Sequence, residues 1–465
     1  MNRNFSITER LADILANQAR QPLSNSAEKA ARLCLLDTLG VGLYGSTQPE
    51  ATMLLQAVGP LGAGGAAVWG TKERLEAGAA ALVCGTLCHL RELDDVHYAI
   101  LHTGCVCVPA ALVAAQVENT TLGQLLCAVA VGVEATVRIA LGMDYMDHRE
   151  RGWHGTATCG AFGSAAAVGL LLGLDQKQLT DALGIAGSRT GGSWAFAADG
   201  SMSKRIHPGL AARDGLTAAY LARAGISGPR YILEAEDGGF YRLFSKAWEE
   251  TRVLSPYESL AIEQVEFKWF ASCKSVHAPL TAAMQIYQQN RDKQPEQIVR
   301  VTAEVNYSAL RIAGRSYDET SVASAQISIP YGIALGLTGR SGQAEDYNLE
   351  CLNDSQIRKL ADKVAVVESE KFNTLRHTEH LSGARVTVEW DNGTTSAVTV
   401  TRPKGSIADP LTEEDVIAKF LRLAGSALGK DRAQDLLKLV MEGQADTPIS
   451  KLMSMLIPPE NDGKR

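Results

Sequence analysis

Between Gly85 and Pro109 the chain reads GTLCHLRELDDVHYAILHTGCVCVP, placing His89, His97 and His102 beside Arg91, Glu92 and the adjacent Asp94 and Asp95. The flanking segments are Ala-rich and apolar. Burying a charge is costly unless it is paired or used, so a polar island here is either a satisfied structural network or an active site. Two later stretches favour the second reading: GWHGTATCG (Gly152 to Gly160) and SKRIHPGLAARDGL (Ser203 to Leu216). Each is a basic or histidine-bearing loop opening onto a Gly/Ala-rich helix. His102, His154 and Lys204 therefore stand at loop-to-helix junctions beside glycine, where helix N-termini attract anions and a side chain can face a cleft. That constellation suits proton transfer.

Other chemistries are less well served. Cys84, Cys88 and His89, or Cys105 and Cys107, assemble a soft-metal site only on paper, because CxxC pairs and HExxH are missing and the cysteines fall on apolar helical faces. No metal is expected. Nucleophilic catalysis lacks both a GxSxG elbow and a flanked thiolate. The Gly-rich piece from Gly59 to Gly70 lacks dinucleotide-fingerprint spacing and reads as a loop.

The elements that must position these residues are mostly helical. Apolar residues at helical spacing predict a helix from Asn25 to Gly45, capped by Asn25 with Glu28 three residues on, and others at Glu76–Leu90, Val108–Val117, Leu122–Leu141, Ala157–Gly173, Gln176–Ala186 and Leu210–Ala224. Strand signals appear later, at Ile298–Asn306, Val364–Glu368, Ala384–Trp390 and Ser396–Thr401, the last two joined by the turn sequence Asp391-Asn392-Gly393-Thr394. Helical periodicity returns at Thr412–Gly429 and Asp431–Glu442. The fold class is therefore mainly α with an inserted α+β domain: residues 1–265 and 405–465 form a large helical domain and 266–404 a lid-like α+β domain.

At 465 residues, 46% apolar and 21% charged, the composition is that of a globular chain. A net charge of -7 without a Lys/Arg run argues against nucleic acid but allows a small anion held by local cations. The uncharged stretch Gly155–Leu174 is rich in small residues and reads as a buried helix rather than a membrane span. Nine cysteines in apolar settings and an N-terminus without a signal-like apolar run suggest a cytoplasmic protein with reduced thiols.

Several stretches together resemble the MmgE/PrpD family: LLDTLGVGLYG near the start, Cys84 to Ala115, GWHGTATCGAFGSAAA, KRIHPGLAARDGL, SCKSVHA (Ser272 to Ala278) and SIPYGIALGL (Ser328 to Leu337). The resemblance implies a helical domain with an inserted lid and a homodimer without metal or cofactor. It implies 2-methylcitrate dehydration, cis-aconitate decarboxylation or iminodisuccinate epimerisation as the activity. It also implies cleft roles for His102, His154, Lys204, His277 and Tyr331, with an acidic pair at Asp94 and Asp95.

The chain departs from the family pattern centrally: Leu-Asp-Phe-Asp-Asp-Thr becomes Arg91-Glu92-Leu93-Asp94-Asp95-Val96, and His-Pro-Gly becomes His102-Thr103-Gly104. A lost hydroxyl at Val96 and a gained guanidinium fit a pocket with an extra carboxylate clamp. These changes favour a cofactor-independent epimerase of iminodisuccinate, with a 2-methylcitrate dehydratase-type lyase or cis-aconitate decarboxylase as the alternative and a non-catalytic helical binding protein as a third class. The expected catalytic residues are Lys204, His154, His102 and Tyr145, the last as an acid on the face opposite the first base. Arg91, Glu92, Asp95, Lys274, His277 and Tyr331 are expected to bind substrate. The expected partner is a small polycarboxylate, with neither nucleic acid nor membrane.

Overall fold

The computed structural model describes residues 5–459. Its first half is a close-packed set of helices: α1 (Ile7–Ala19), α2 (Asn25–Ser46), α3 (Pro49–Val58), then a short antiparallel ribbon of β1 (Ala63–Ala67) and β2 (Arg74–Leu75), then α4 (Ala77–His89), α5 (Gly104–Val117), α6 (Leu122–Leu141), α7 (Tyr145–Glu150), α8 (Gly155–Leu171), α9 (Gln176–Arg189) and α10 (Ser203–Arg223). Helices α4, α5, α8 and α10 pack against one another at the centre. Small residues make this possible. A Cβ on Gly85 of α4 would lie 2.8 Å from the Gly209 Cα of α10 and 3.0 Å from the Cys105 carbonyl oxygen of α5, so the three backbones meet where side chains cannot fit.

After short helices α11 (Phe240–Phe244) and α12 (Glu250–Leu254) come the lid elements: α13 (Lys274–Gln289), β3 (Ile298–Val305), α14 (Tyr307–Ala313), α15 (Val322–Ala325), α16 (Ile329–Leu337), α17 (Leu349–Leu352), α18 (Ser355–Ala361), β4 (Val364–Glu368), α19 (Glu370–Glu379), β5 (Ala384–Trp390) and β6 (Thr395–Val400). The sheet order is β4-β3-β5-β6, with β3 and β4 parallel and the other pairs antiparallel. Ala384, Val386, Val388 and Trp390 alternate inward along β5, giving the sheet its buried face. The hairpin turns at Gly393, which adopts a φ of 79°. The chain then returns: α20 (Glu413–Leu428) packs on α2, followed by α21 (Lys430–Glu442) and α22 (Ile449–Met455).

The expected fold class agrees with this architecture. Several boundaries differ for identifiable reasons. Ser24, not Asn25, caps α2, accepting from the Ala27 amide at 3.1 Å. The segment read as a loop at Gly59–Gly70 contains β1. Helix α5 begins at Gly104 rather than Val108 and α10 at Ser203 rather than Leu210, each five residues ahead of its proline. Pro109, Pro208 and, in α13, Pro279 each take the sixth helical position, removing only the rungs to the Cys105, Lys204 and Ser275 carbonyls. The basic and histidine-bearing residues ahead of those prolines are consequently helical.

Helix α6 is, among the described residues, the one long and apolar enough to cross a membrane, and 83% of that stretch is buried inside the protein. Its Glu134 and Arg138 form a buried pair at 2.6 Å, with the guanidinium also donating to the Val253 and Ser255 carbonyls. That is a core helix of a globular chain.

The crossing of α4, α5 and α10 makes an opposed pair of glycine substitutions informative. Gly85→Ala is expected to destabilise the protein by about 1–3 kcal/mol through overpacking, whereas Gly425→Ala, with open space around it in α20, is expected to be neutral or to stabilise by up to ~1 kcal/mol. Denaturant unfolding of both variants checks this, and equal effects would contradict the packing assignment.

Candidate active site

Four elements converge: the C-terminus of α4, the segment 90–103, and the N-termini of α8 and α10, with residues 266–273 closing the group. Lys204 and Arg205 occupy the first turn of α10, where the helix dipole disfavours cations. Glu92 answers both. Its carboxylate takes the Lys204 ammonium and the Arg205 guanidinium on Oε1 and the Lys268 ammonium on Oε2 at 2.9 Å, all of them buried. Arg205 also donates to Gln326 Oε1 at 2.8 Å, and Gln326 in turn donates to the Arg91 and Ala271 carbonyls.

The backbone is bent to achieve this. Glu92 has a φ of 52° and Ile100 a φ of 60°, and such positions in non-glycine residues, above all β-branched ones, persist only where surroundings over-determine them. Here Lys268 also donates to the Glu92 carbonyl at 3.0 Å, Lys419 donates to the Leu93 carbonyl while paired with Asp37 at 2.7 Å, and Val96 exchanges two 2.8 Å bonds with Glu266.

Asp94 Oδ2 accepts from His89 Nδ1 at 2.8 Å and lies 3.1 Å from His102 Nδ1, which also donates to the Asp95 carbonyl at 2.6 Å. Both neighbours of His102 Nδ1 are acceptors, so its proton resides there and Nε2 is left to exchange one. Asp95 faces away from this chemistry. Its carboxylate accepts from Thr103 Oγ1 at 2.6 Å and the Gly104 amide at 2.9 Å, tying down the start of α5. His154 and His207 share a contact between their Nδ1 atoms at 3.1 Å, one donating and the other accepting, with Trp194 and Phe196 against the His154 ring.

These surroundings push like groups apart. Burial lowers the Lys204 ammonium from its ordinary range, and the Glu92 charge recovers only part of the loss. Burial also works against Lys268, but Glu92 and Asp94 together outweigh it and hold that ammonium above its usual value. Glu92 is held well below the carboxylate range because its three cations outweigh its burial. His154 is driven well below its ordinary value by burial and then by Lys204, and His207 down to about 4 for the same reasons. Asp95 is raised to about 6 by burial, against its Thr103 hydrogen bond and with the Asp94 charge beside it. The result is two lysines on one carboxylate displaced in opposite directions, Lys204 downward and Lys268 upward.

Of the expected residues, the structure brings Lys204, Glu92, His102 and His154 together. Arg91 is placed elsewhere. Its guanidinium makes a fork on Glu50 at 2.7 and 2.9 Å and reaches Gln48, so the expected clamp is an ion pair to α3. Tyr331 is buried in the lid core, donating to the Asp346 carbonyl at 2.7 Å. Lys274 pairs with Glu266 at 2.8 Å, and the His277 ring packs on Phe270 with Nε2 3.4 Å from the Ser272 carbonyl oxygen. Tyr145 lines an open cleft of about 540 Å³ between the helices and the lid, together with Tyr98, Arg376 and His380. Burial raises its phenol above the ordinary value.

His89, Arg205, His207 and Lys268 are absent from the expected set, and Asp94 is expected only as one half of an acidic pair. The sequence reading puts the Lys204-Arg205 pair in a loop ahead of a helix from Leu210, so its demand for an acid in a helix's first turn goes unseen; Lys268, between Phe267 and Trp269, carries no signal. His89, Asp94 and Cys105 offer atoms within 4.8 Å of one another, a grouping a metal could use. In this arrangement the His89 proton is committed to Asp94, and burial, then the Asp94 charge, holds the Cys105 thiol protonated.

A basic, histidine-rich centre is thus buried in a helical chain that carries a small mixed-sheet lid. Models of the MmgE/PrpD N-terminal domain and the MmgE/PrpD C-terminal domain match residues 9–251 and 270–442, and the chain belongs to this family. It is 28% identical to cis-aconitate decarboxylase of Aspergillus terreus and 28% identical to that of Homo sapiens, each over 98% of this chain and 96% of the relative. It is 26% identical to 2-methylcitrate dehydratase of Escherichia coli (strain K12) over 80% of both chains.

The buried neutral histidines imply acid sensitivity. Burial lowers His89 and His97 to about 3 and His148 and His207 to about 4. The unfolded chain takes up these protons near pH 6.5, so the stability these sites contribute is complete above that pH and is lost progressively as pH falls from 6.5 towards 4. Tm should fall steeply across this window; a flat Tm between pH 7 and 5 would contradict the burial of these rings.

Proposed function

We propose that the chain is a lyase that moves a proton at a carbon adjacent to a carboxylate of a small polycarboxylate, with loss of carbon dioxide or water. The observation that carries this reading is the pair of lysines of opposite character on Glu92. Lys204, lowered, is the proton-exchanging group of this proposal, while Lys268, raised, keeps its charge. Glu92 and Asp94 set against Lys204, Arg205 and Lys268 leave one surplus positive charge for an anionic substrate. His154, neutral and oriented by His207, supplies the second proton-transfer group.

Cis-aconitate is the first candidate substrate, because the decarboxylase relatives are matched over nearly the whole chain. Its decarboxylation leaves an allylic carbanion, and one proton from the Lys204 ammonium completes the reaction. Dehydration of a 2-methylcitrate-like hydroxy acid is the second reading, favoured by the dehydratase relatives. The earlier preference for iminodisuccinate epimerisation finds no support in these relatives, and its extra clamp, Arg91, is taken by Glu50. A cytoplasmic homodimer working without cofactor remains part of the proposal.

Proton NMR in deuterated water with cis-aconitate, 2-methylcitrate and iminodisuccinate in parallel tests the reading. Loss of carbon dioxide or water from one of the first two is expected; stereoinversion of iminodisuccinate alone would overturn it. Lys204→Ala and His154→Ala are each expected to lower kcat by about 10²-fold or more, while Arg91→Lys leaves KM unchanged. Near-native kcat in either of the first two removes that residue from proton transfer.

A further inference from the structure

Arg149 of α7, Arg311 of α14 and Arg315 just beyond it meet at the seam between the helices and the lid. None of the three makes an ion pair among the described residues, although arginines elsewhere in the chain commonly do. The Arg149 guanidinium lies 3.8 Å from the centre of the Trp194 ring, and its Nε is buried with no hydrogen-bond partner among the described residues. The Trp194 Nε1 beneath it is likewise buried and unpartnered. Arg315 donates to the Ala197 carbonyl and to Ile312 O at 3.4 Å, and the Arg311 side chain makes no hydrogen bond among the described residues. Glu150, the acid facing this group, accepts from Tyr307 Oη at 2.8 Å and forms no ion pair. Burial first, and then Arg315 and Arg311, lower Arg149 to about 10 against the opposing influence of Tyr145.

The turn Trp194–Ala197 separates this group from the candidate site. On one side it carries Arg149 on its first residue and Arg315 on its last. On the other, Trp194 and Phe196 hold the His154 ring at 5.5 and 5.8 Å between centroids. Arg315 also lines a cavity of about 20 Å³ together with Lys204 and Phe196. That volume holds a water but not a polycarboxylate, so an anion reaching both Lys204 and Arg315 must part the seam to enter. Three like charges faced by one acid, Glu150, raise the energy of the protein, and a carboxylate placed among them relieves that energy through forked, charge-assisted hydrogen bonds.

We propose that Arg149, Arg311 and Arg315 form an anion site across the domain seam that takes the carboxylate of a polycarboxylate remote from the carbon reacting near Lys204 and His154. The site rests on the reading of the substrate as a small polycarboxylate. Because two of the three arginines belong to the lid and one to the helical domain, occupancy of the site draws the lid onto the helices. Discrimination against substrates with one carboxylate fewer follows from the same contacts.

The test is calorimetric binding of two unreactive acids, tricarballylate and glutarate, the second being the first without its central carboxylate. Wild type is expected to prefer tricarballylate by about tenfold or more, and Arg311→Ala and Arg315→Gln to bring the two affinities within about twofold of each other. Arg311→Ala guards against a folding artefact, since this residue is exposed and its side chain makes no hydrogen bond among the described residues. A preference that persists in both variants, or that is absent from wild type, overturns the site. Turnover of cis-aconitate is measured separately. Arginine-dependent tricarballylate binding without turnover would leave this site standing and remove the proposed reaction, whereas turnover with unaltered preference would do the reverse.

Discussion

One carboxylate, that of Glu92, holds the centre of the molecule together. Three buried cations close on it; without it Lys204 and Arg205 would be uncompensated charges, and Lys268 would keep only Asp94 at 3.8 Å. Removing water from charged groups costs several kcal/mol per ion, and only close geometry with further hydrogen bonds recovers that cost. The recovery is visible in the surroundings: Arg205 divides its donors between Glu92 and Gln326, and Lys268 binds both the side chain and the carbonyl of Glu92. The left-handed backbone at Glu92 is tolerated because these contacts leave the residue no alternative.

The helical architecture serves this arrangement. Gly/Ala-rich faces let α4, α5, α8 and α10 approach closely enough for their ends to share one small volume. Prolines at the sixth position of α5, α10 and α13 each leave one backbone rung open near the start of the helix. The C-terminal helix α20 adds Lys419, whose bond to the Leu93 carbonyl ties the last part of the chain to the central segment. Distant parts of the sequence therefore meet at residues 90–103.

The fold class and the sheet were legible because periodicity reports them directly: alternation marked β5 and β6, and the Asn-Gly turn between them marked the hairpin. Helix starts were less legible, since a proline reads as a boundary in one dimension even where more than one helical turn precedes it. Lys204, His154, His102 and Glu92 could be picked out by type and by their position at helix ends. Arg91 could not be assigned correctly, because sequence proximity to Glu92 says nothing of Glu50, which waits on α3. Lys268 was invisible for the converse reason: only the three-dimensional path of residues 266–273 carries it to Glu92.

The central claim is that Glu92 and its cations divide the two buried lysines into one that exchanges its proton and one that does not. Isotope-edited NMR titration of the Lys204 and Lys268 side chains measures this directly. Lys204 should titrate below 10.5 and Lys268 above it, burial and Glu92 setting both directions. Equal values, or a Lys204 that titrates at or above the ordinary lysine range, would contradict the account.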